Sequence, residues 1–277
     1  MGWLQTFHGR TVVVTGASSG IGRATAVAFG AAGARVALVA RRRDPLAAAA
    51  AEITQQGGTA LVVPTDVTDR TAVAACFETV ARTWGAPDVV VNNAGLLLPA
   101  LVTAQRAEDL EAMFRVNVFG ALFVMQEAVA RMRDHGGAIV NVASLAGRRA
   151  VSPIGGYSAT KFALVGLTEA LRTELHGSPI AVSLVMPGVV DTPMVDAVDH
   201  DPDFVDLWPT ALNMPPSWVV WAIFAAVRFK LVEVSVPPGA ATLEKLAALA
   251  PGVADTVVAW AKRTSHWLTT AARGADS

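Results

Sequence analysis

The sequence is poor in reactive side chains and in charge of either sign. Its 277 residues include one tyrosine (Tyr157), one cysteine (Cys76) and four lysines, and charged residues make up only 16% of the chain. A lone cysteine cannot form a disulfide within the chain, so Cys76 is predicted to be a small core residue. The formal net charge of -1 provides no basic field, so nucleic acid is not an expected partner.

The sequence also lacks long apolar runs and the spacings of metal ligands. No uninterrupted apolar run reaches the roughly 18 residues that a membrane-spanning helix needs. The nearest candidate, WVVWAIFAAV from Trp218, predicts a buried helix, with a lipid-facing surface as the alternative. The N-terminal MGWLQTFHGR has no apolar core of a secretory signal, so we expect a cytoplasmic protein. The five histidines are scattered, so we expect no metal site.

A hydrophobic fraction of 53% supports a large core. Short β-branched runs alternate with longer alanine-rich segments, which is the rhythm of βαβ units. The pattern predicts an α/β fold, a Rossmann-type doubly wound parallel sheet of about seven strands with helices on both faces, in a single domain. The strands are predicted to begin near Thr11, Arg35, Ala60, Asp88, Ala138, Ala181 and Leu231. The main helices are predicted over residues 20–32, 45–56, 70–84, 107–133 and 155–176, and from about residue 216.

The later part of the chain departs from this rhythm. We expect residues 1–239 to form the catalytic domain and residues 240–277 to form a helical extension of it. Residues 192–216 are rich in proline and aspartate and have no clear period, which predicts a long loop over a substrate site. Apolar residues in this loop would either form the wall of a site for a hydrophobic substrate or belong to the core: Met194, Phe204, Leu207, Trp208, Leu212 and Met214.

The segment TGASSGIG, residues 15–22, follows the first predicted strand and leads into a helix. Glycine at positions 16, 20 and 22 allows a tight turn and close approach of the backbone to a pyrophosphate. The N–H groups and dipole at the helix start would stabilise the pyrophosphate charge. The segment predicts a dinucleotide site, with a merely structural turn as the alternative. Its contacts are predicted to be Gly16, Ser18, Ser19, Gly20, Ile21 and Gly22.

Three arginines follow the second predicted strand, where NAD-selective proteins of this architecture carry an acidic residue. A guanidinium offers planar, charged donors that suit a 2′-phosphate. Arg41 and Arg42 therefore predict NADP(H) in preference to NAD(H), with Arg41 the first contact. The alternative is a solvated basic turn.

Tyr157 and Lys161 are one turn apart on a helix that is predicted to begin near Gly155, so they share a face. A phenol transfers protons best when its pKa falls from about 10 toward the working pH, a change of roughly 3 units or about 4 kcal/mol. A nearby cation gives a shift of that sign, so we expect Lys161 to lower the pKa of Tyr157. The alternative is an interfacial aromatic ring whose hydroxyl merely finds a partner.

Several motifs in this order resemble the classical short-chain dehydrogenases/reductases over residues 8 to about 195. They are TGASSGIG, DVTD from Asp66, NNAG from Asn92, Asn117, Ser144, YSATK from Tyr157 and PGVVDT from Pro187. The resemblance implies that Tyr157 is the general acid or base, and that Lys161 lowers its pKa and holds the nicotinamide ribose. It also implies that Ser144 binds the reacting oxygen and that Asn117 holds a water of a proton relay.

The resemblance implies further cofactor contacts from Asp66, Val67, Asn93, Ala94, Gly95, Pro187, Gly188, Val190 and Thr192. Together these features predict an NADP(H)-dependent oxidoreductase that interconverts a ketone (or aldehyde) and a secondary alcohol on a hydrophobic small-molecule substrate. A non-catalytic NADP-binding scaffold or redox sensor, and an epimerase or dehydratase, are the alternatives. We expect a homodimer through the helices around Asn117 and Tyr157, or a homotetramer. The C-terminal helix is a candidate for peripheral membrane contact.

Overall fold

A computed structural model describes residues 7–196, 213–253 and 256, and its strands form one seven-stranded sheet. The strands are β1 Thr11–Thr15, β2 Arg35–Ala40, β3 Thr59–Pro64, β4 Val89–Asn92, β5 Gly137–Val142, β6 Ile180–Pro187 and β7 Glu233–Val236. Their spatial order is β3-β2-β1-β4-β5-β6-β7, and every neighbouring pair is parallel. The predicted doubly wound parallel sheet is confirmed.

The helices follow the alanine-rich segments, with boundaries set by local sequence. They are α1 Gly20–Ala31, α2 Arg43–Gln55, α3 Arg70–Trp84, α4 Ala107–Phe114, α5 Ala121–Met132, α6 Gly155–Glu174, α7 Pro193–Asp196, α8 Pro216–Phe229 and α9 Ala240–Ala247. The start of α3 is capped by the Asp69 carboxylate, which accepts hydrogen bonds from the backbone N–H groups of Thr71 and Ala72 at 2.8 and 3.1 Å. Gly85, at φ +88°, ends the same helix.

The helix predicted over residues 107–133 is present but irregular. A π-helical segment, Arg115–Gly120, separates α4 from α5 and contains Asn117. Such segments arise from one extra residue in a turn and are frequent at functional sites. By length and composition alone, the stretch Ala107–Met132 is long and apolar enough to cross a membrane. Its apolar character is also that of a core helix, since Val124, Ala128 and Met132 are buried against the sheet.

The core has two layers, one on each face of the sheet. Strand β1, TVVVT, is buried over its whole length, as a parallel strand covered on both faces should be. On one face α1 and α8 meet through Phe29 and Phe224, whose ring centroids are 4.4 Å apart. On the other face α3, α5 and α6 cover the sheet with residues such as Phe77, Met132 and Leu164. The helices cover the two faces of the sheet and leave the ends of the strands accessible.

The predicted site residues meet at the carboxyl edge of the sheet. Strand β1 lies between β2 and β4, so successive connections diverge to opposite faces there and leave a crevice. The turns that leave the strands at this edge carry Gly16, Arg41, Asp66, Asn93, Ser144 and Gly188. The topology thus gathers residues that are far apart in sequence at the position where ligands bind in such folds.

Only the ends of the predicted substrate loop fall within the described residues. Met214 pairs with Val190 as an isolated bridge, and α7 begins directly after Thr192. The predicted wall residues Phe204, Leu207, Trp208 and Leu212 lie outside the described residues, as does the end of the extension predicted over 240–277. The boundary between residues 239 and 240 stays a prediction.

Candidate active site

The three glycines of the turn after β1 lie at positions where a side chain would be strained or would overlap its neighbours. Gly16 and Gly20 have φ values of +68° and +52°. A Cβ on Gly22 would overlap the carbonyl oxygen of Gly16 and lie 2.5 Å from Nδ2 of Asn93. Ser19 is the N-cap of α1 but makes no side-chain cap bond, so the first N–H groups of the helix have no side-chain acceptor. The turn and the helix start therefore fit a pyrophosphate.

Thr15, at the end of β1, fastens the turn after β4 to this glycine turn. Its Oγ1 accepts hydrogen bonds from the backbone N–H groups of Asn93 and Ala94 at 2.9 and 3.0 Å. The Asn93 side chain returns a bond from Nδ2 to the carbonyl oxygen of Thr15 at 3.1 Å. Thr15 is not among the contacts predicted from the sequence, although its place directly before Gly16 is a signal for this role.

The turn after β6 closes the same crevice. A Cβ on Gly20 would lie 3.1 Å from Cγ2 of Thr192, and Thr192 Oγ1 donates to the carbonyl oxygen of Val190 at 3.1 Å. Gly188 donates its N–H to the carbonyl oxygen of Val236 at 2.7 Å, directly after the buried end of β6 at Pro187. The turns after β1, β4 and β6 therefore meet around one crevice, as the motifs predict.

The residues predicted at the adenosine end lie after β2 and β3. Arg41 and Arg42 are exposed, and within the described residues neither guanidinium has an ion-pair or hydrogen-bond partner. Asp66 Oδ1 accepts bonds from the N–H and Oγ1 of Thr68, both at 2.9 Å. Val67 is buried, and a Cβ on Gly120 of the π segment would lie 2.8 Å from its Cγ2. Two unpartnered cations thus stand at the edge of the crevice.

Tyr157 and Lys161 lie one turn apart near the start of α6, and both are buried. The Lys161 Nζ donates to the carbonyl oxygen of Val142 at 3.1 Å and lies 5.5 Å from the centroid of the Tyr157 ring. An ammonium has three donors, so two of them are left for other acceptors. Ser144 follows β5, and its Oγ donates to the carbonyl oxygen of Pro187 at 3.4 Å and accepts from the backbone N–H of Ala146 at 3.1 Å. The same side chain lowers the pKa of the Tyr157 hydroxyl, so the two side chains are neighbours.

Burial dominates the titration of both groups. It raises the pKa of the Tyr157 hydroxyl well above 10.0, and the hydrogen bond with Ser144 lowers that pKa only in part. Burial lowers the pKa of Lys161 from 10.5 to about 8. In the protein alone the pKa of Tyr157 thus lies above its usual value, because dehydration of the phenolate is the largest effect. That Lys161 lowers the pKa of Tyr157 stays a prediction.

The Asn117 side chain is fully engaged by protein groups. Its Oδ1 accepts from the backbone N–H of Leu96 at 2.7 Å, and its Nδ2 donates to the Leu96 carbonyl oxygen at 2.8 Å and to Thr160 Oγ1 at 2.9 Å. Thr160 Oγ1 in turn donates to the carbonyl oxygen of Tyr157 at 2.7 Å. The amide thus ties the turn after β4 to the helix that carries Tyr157, and its predicted contact with a relay water stays a prediction.

An apolar wall surrounds Tyr157. It packs in a small cluster with Met113, Ala146 and Ile154. The partly buried residues around this cluster are Leu96, Leu97, Leu98, Leu110, Val151, Val189 and Val195. This wall is not predicted from the sequence, although the run LLLP directly after the NNAG motif is a signal for it. Of the wall residues that were predicted, Met194 Cε would lie 3.6 Å from a Cβ on Gly95.

An ion-pair network lies behind the Ser144 turn. Arg148 pairs with Glu169 of α6 at 2.6 Å and with Glu233 of β7 at 2.7 Å, and Lys245 of α9 pairs with Glu233 at 2.9 Å. Burial raises the pKa of the Glu233 carboxyl, but the hydrogen bonds from Lys245 and Arg148 outweigh burial and leave that pKa below its usual value. One carboxylate thus joins the Ser144 turn to the last described helix.

Comparisons with known proteins agree with this geometry. A family model described as short chain dehydrogenase matches residues 10–203. A sorbitol dehydrogenase of Cereibacter sphaeroides is 41% identical over 194 residues, which cover 69% of this chain and 74% of that protein. A short-chain dehydrogenase/reductase from Burkholderia phymatum, solved in complex with NAD, has a TM-score of 0.80 at 26% identity over 89% of this chain and 95% of its own. A variant of actinorhodin polyketide ketoreductase, solved with NADPH, has a TM-score of 0.77 at 28% identity over 84% and 97%.

Proposed function

Because this chain belongs to the short-chain dehydrogenase/reductase family, we propose that it is an NADP(H)-dependent oxidoreductase that interconverts a hydrophobic ketone and a secondary alcohol. The observation that carries this proposal is the burial of Tyr157 and Lys161 one helical turn apart, with the Lys161 Nζ 5.5 Å from the centroid of the Tyr157 ring and Ser144 beside it. These groups lie beside a glycine turn that accepts no side chain, which supports a nicotinamide cofactor in the crevice.

Each of the three side chains has a task in the reaction. The nicotinamide cofactor, when bound, supplies or accepts the hydride. Tyr157 gives its hydroxyl proton to the carbonyl oxygen of the substrate in reduction and takes it back in oxidation. Ser144 hydrogen-bonds the same oxygen as it gains negative charge. Lys161 uses its remaining N–H donors to bind the ribose hydroxyls.

The raised pKa of Tyr157 is compatible with its role as an acid. A phenol that keeps its proton at neutral pH releases it only to a stronger base, and the alkoxide-like oxygen that forms during reduction is such a base. In the oxidative direction the phenolate must form, and a positive charge beside it favours that form. An oxidised nicotinamide ring is one such charge, and protonated Lys161 is the other.

Tyr157→Phe tests the proton transfer. Phenylalanine keeps the ring in the apolar wall but removes the hydroxyl, so we expect kcat to fall by about 10²- to 10⁴-fold, the usual contribution of a positioned acid. The measurement is the absorbance change of NADPH or NADH with a panel of ketones and secondary alcohols. Undiminished turnover by the variant would refute the assigned role. Cofactor binding by the native chain without turnover on any panel member would favour the non-catalytic scaffold.

The unpartnered cations after β2 support the choice of NADP(H). Arg41→Ala removes a charged donor that suits the 2′-phosphate, and such bonds contribute about 1.5–3 kcal/mol, or roughly 10- to 100-fold in affinity. We expect Kd for NADPH to rise by about that factor and Kd for NADH to stay the same, as measured by fluorescence titration. Tighter binding of NADH by the native chain, or an equal loss for both cofactors in the variant, would contradict the preference.

The leucines and valines around Tyr157 support a hydrophobic substrate. An apolar wall favours substrates that bring apolar area out of water, at about 25 cal/mol per Å². The panel therefore includes aromatic and long-chain ketones as well as sorbitol, after which one relative is named. We expect kcat/KM to rise with the apolar size of the group beside the carbonyl. Preference for sorbitol would refute the substrate class but leave the reaction type intact.

A homodimer is supported by the helices beside the site. Phe119, in the π segment, and Phe162, in α6, are 49% and 44% exposed in the isolated chain. Aromatic side chains in such positions are enriched at protein interfaces. We therefore propose that two copies pair through these helices.

A further inference from the structure

A chain of hydrogen bonds runs through the buried core below the crevice. Thr168 of α6, Asn141 of β5 and Asn92 of β4 are 0%, 0% and 3% exposed. Asn141 Nδ2 donates to Thr168 Oγ1 at 3.0 Å, and Asn92 Nδ2 donates to Asn141 Oδ1 at 3.0 Å. The chain ends where Asn92 Nδ2 also donates to the carbonyl oxygen of Ala121, at 2.9 Å. It therefore links α6 to the residue that follows the π segment.

Thr168 sets the direction of this chain. Its single hydroxyl hydrogen is donated to the carbonyl oxygen of Leu164 at 2.7 Å, so its Oγ1 can only accept from Asn141. The Asn141 amide must then turn its Nδ2 toward Thr168 and its Oδ1 toward Asn92. Asn92 in turn must present Nδ2, a donor, to Asn141 and to the Ala121 carbonyl oxygen. The Thr168 hydroxyl at one end and the Ala121 carbonyl oxygen at the other end thus favour the same orientation of the two buried amides.

The far end of the chain is one of two points where the end of β4 and the turn after it are hydrogen-bonded to the helical segment over residues 117–121. Asn92 binds the Ala121 carbonyl, and four residues later Leu96 binds the Asn117 amide through both its N–H and its carbonyl oxygen. Residues 117 and 121 are also four apart, so the two segments are joined at both ends. The three residues between these points, 93–95, line the crevice beside the glycine turn.

We propose that Thr168 and Asn141 are positioning residues that hold the turn 93–95 in the shape that binds the nicotinamide cofactor. Neither residue touches the crevice, and both act through Asn92 and the π segment. Removing the Thr168 hydroxyl leaves the Asn141 Nδ2 with Met125 Sδ, at 3.2 Å, as its acceptor. A thioether is a weak acceptor, so the orientation of the Asn141 amide is held less firmly. In the reversed orientation Asn141 would present a donor to the donor of Asn92, and the fastening at Ala121 would loosen. The inference rests on the proposed function only for the identity of the bound cofactor.

Thr168→Val is the direct test, because valine matches threonine in shape and lacks only the hydroxyl. We expect Kd for NADPH to rise by about tenfold, within the range by which residues remote from a ligand change its affinity. Thr168→Ser restores the hydroxyl and is expected to restore the affinity. Thr11→Val is the matched control: Thr11 is also 0% exposed, but its Oγ1 has no partner among the described residues. Its affinity for NADPH is expected to equal that of the native chain.

A second measurement is independent of the cofactor. The backbone N–H groups of Asn93 and Ala94 are bonded to Thr15, so they exchange slowly only while the turn keeps its shape. In Thr168→Val without cofactor we expect faster hydrogen–deuterium exchange in the peptide over residues 92–98 and unchanged exchange in β1. If the valine variant does not fold, Thr168→Ala removes the same hydroxyl from a helix that tolerates alanine well.

The outcomes separate the two proposals. Native exchange in this peptide together with native NADPH affinity in Thr168→Val would overturn the inference and leave the proposed function standing. A native chain that binds neither NADPH nor NADH would overturn the proposed function, while faster exchange in the variant would still support the positioning of the turn. Equal losses in Thr168→Val and Thr11→Val would show general destabilisation and also overturn the inference.

Discussion

Replacing Lys161 with methionine should abolish turnover and yet stabilise the protein at neutral pH. The ammonium is buried, and its pKa falls from 10.5 to about 8 on folding. At about 1.4 kcal/mol for each pKa unit, that change represents about 3 kcal/mol of native-state destabilisation at neutral pH. Methionine removes this penalty but also removes the bond to the Val142 carbonyl, which contributes about 1 kcal/mol. We expect a net stabilisation of about 2 kcal/mol near pH 7.

The advantage of Lys161→Met should disappear as the pH rises. The unfolded lysine binds more protons than the folded one between about pH 8 and about pH 10.5, so the stability of the native chain rises through that window relative to the variant. The raised pKa of Tyr157 acts with the opposite sign above about pH 10, so the two proteins are compared below that pH. The measurement is the free energy of unfolding in urea, followed by circular dichroism at several pH values.

Lys230→Met is the control for this experiment. Lys230 is exposed, so its replacement by methionine removes a lysine without removing a buried ammonium. A Lys161→Met protein that is less stable than the native chain near neutral pH would refute the reasoning. A stability difference that stays constant across the alkaline window would refute it as well, since the lysine would then not be dehydrated in the fold.

Two further predictions concern the glycine turn and the dimer. Gly22→Ala should abolish cofactor binding in titration, because its methyl group would overlap the Gly16 carbonyl. Gly166→Ala is the control, since Gly166 is exposed on α6 with open space around it. This control should keep cofactor binding and stabilise the protein by about 0.5–1 kcal/mol. Loss of binding in both variants would contradict the steric argument. Phe162→Glu should convert a dimer to a monomer in light scattering, because it places charge at the centre of the proposed interface. A native chain that is already a monomer would contradict the interface.

The sequence predicts the sheet well because the strands are chemically distinct from their surroundings. Runs such as Thr11–Thr15 are β-branched throughout and are buried on both faces. Their local composition therefore predicts their position in the interior of the sheet. The same holds for Tyr157 and Lys161, whose spacing determines that they share a helix face once the helix exists. The motifs lie together because each follows a strand, and parallel strands have their carboxyl ends on the same side of the sheet. Few other topologies are compatible with this succession of strands and helices.

The rest of the site depends on contacts between residues that are distant in sequence. The raised pKa of Tyr157 follows from how deeply the ring is buried, which spacing does not reveal. The partners of Asn117 come from residues 21 and 43 positions away, and its turn is π-helical for reasons that the apolar sequence FRVNVFGALF does not display. The hydrogen-bonded chain from Thr168 to Asn92 joins α6, β5 and β4. The sequence around each of these residues gives no indication that the other two are its partners.

The shared carboxylate of Glu233 has a consequence for the last described helix, α9. That helix buries only Ala241, while its Leu243 and Leu246 are exposed, so the apolar contribution to its attachment is small. The Lys245 side chain is 49% exposed, so dissolved ions screen its ion pair more than the pair from Arg148, whose side chain is 16% exposed. Raising the ionic strength should detach this helix while the rest of the fold, including the Ser144 turn, stays in place.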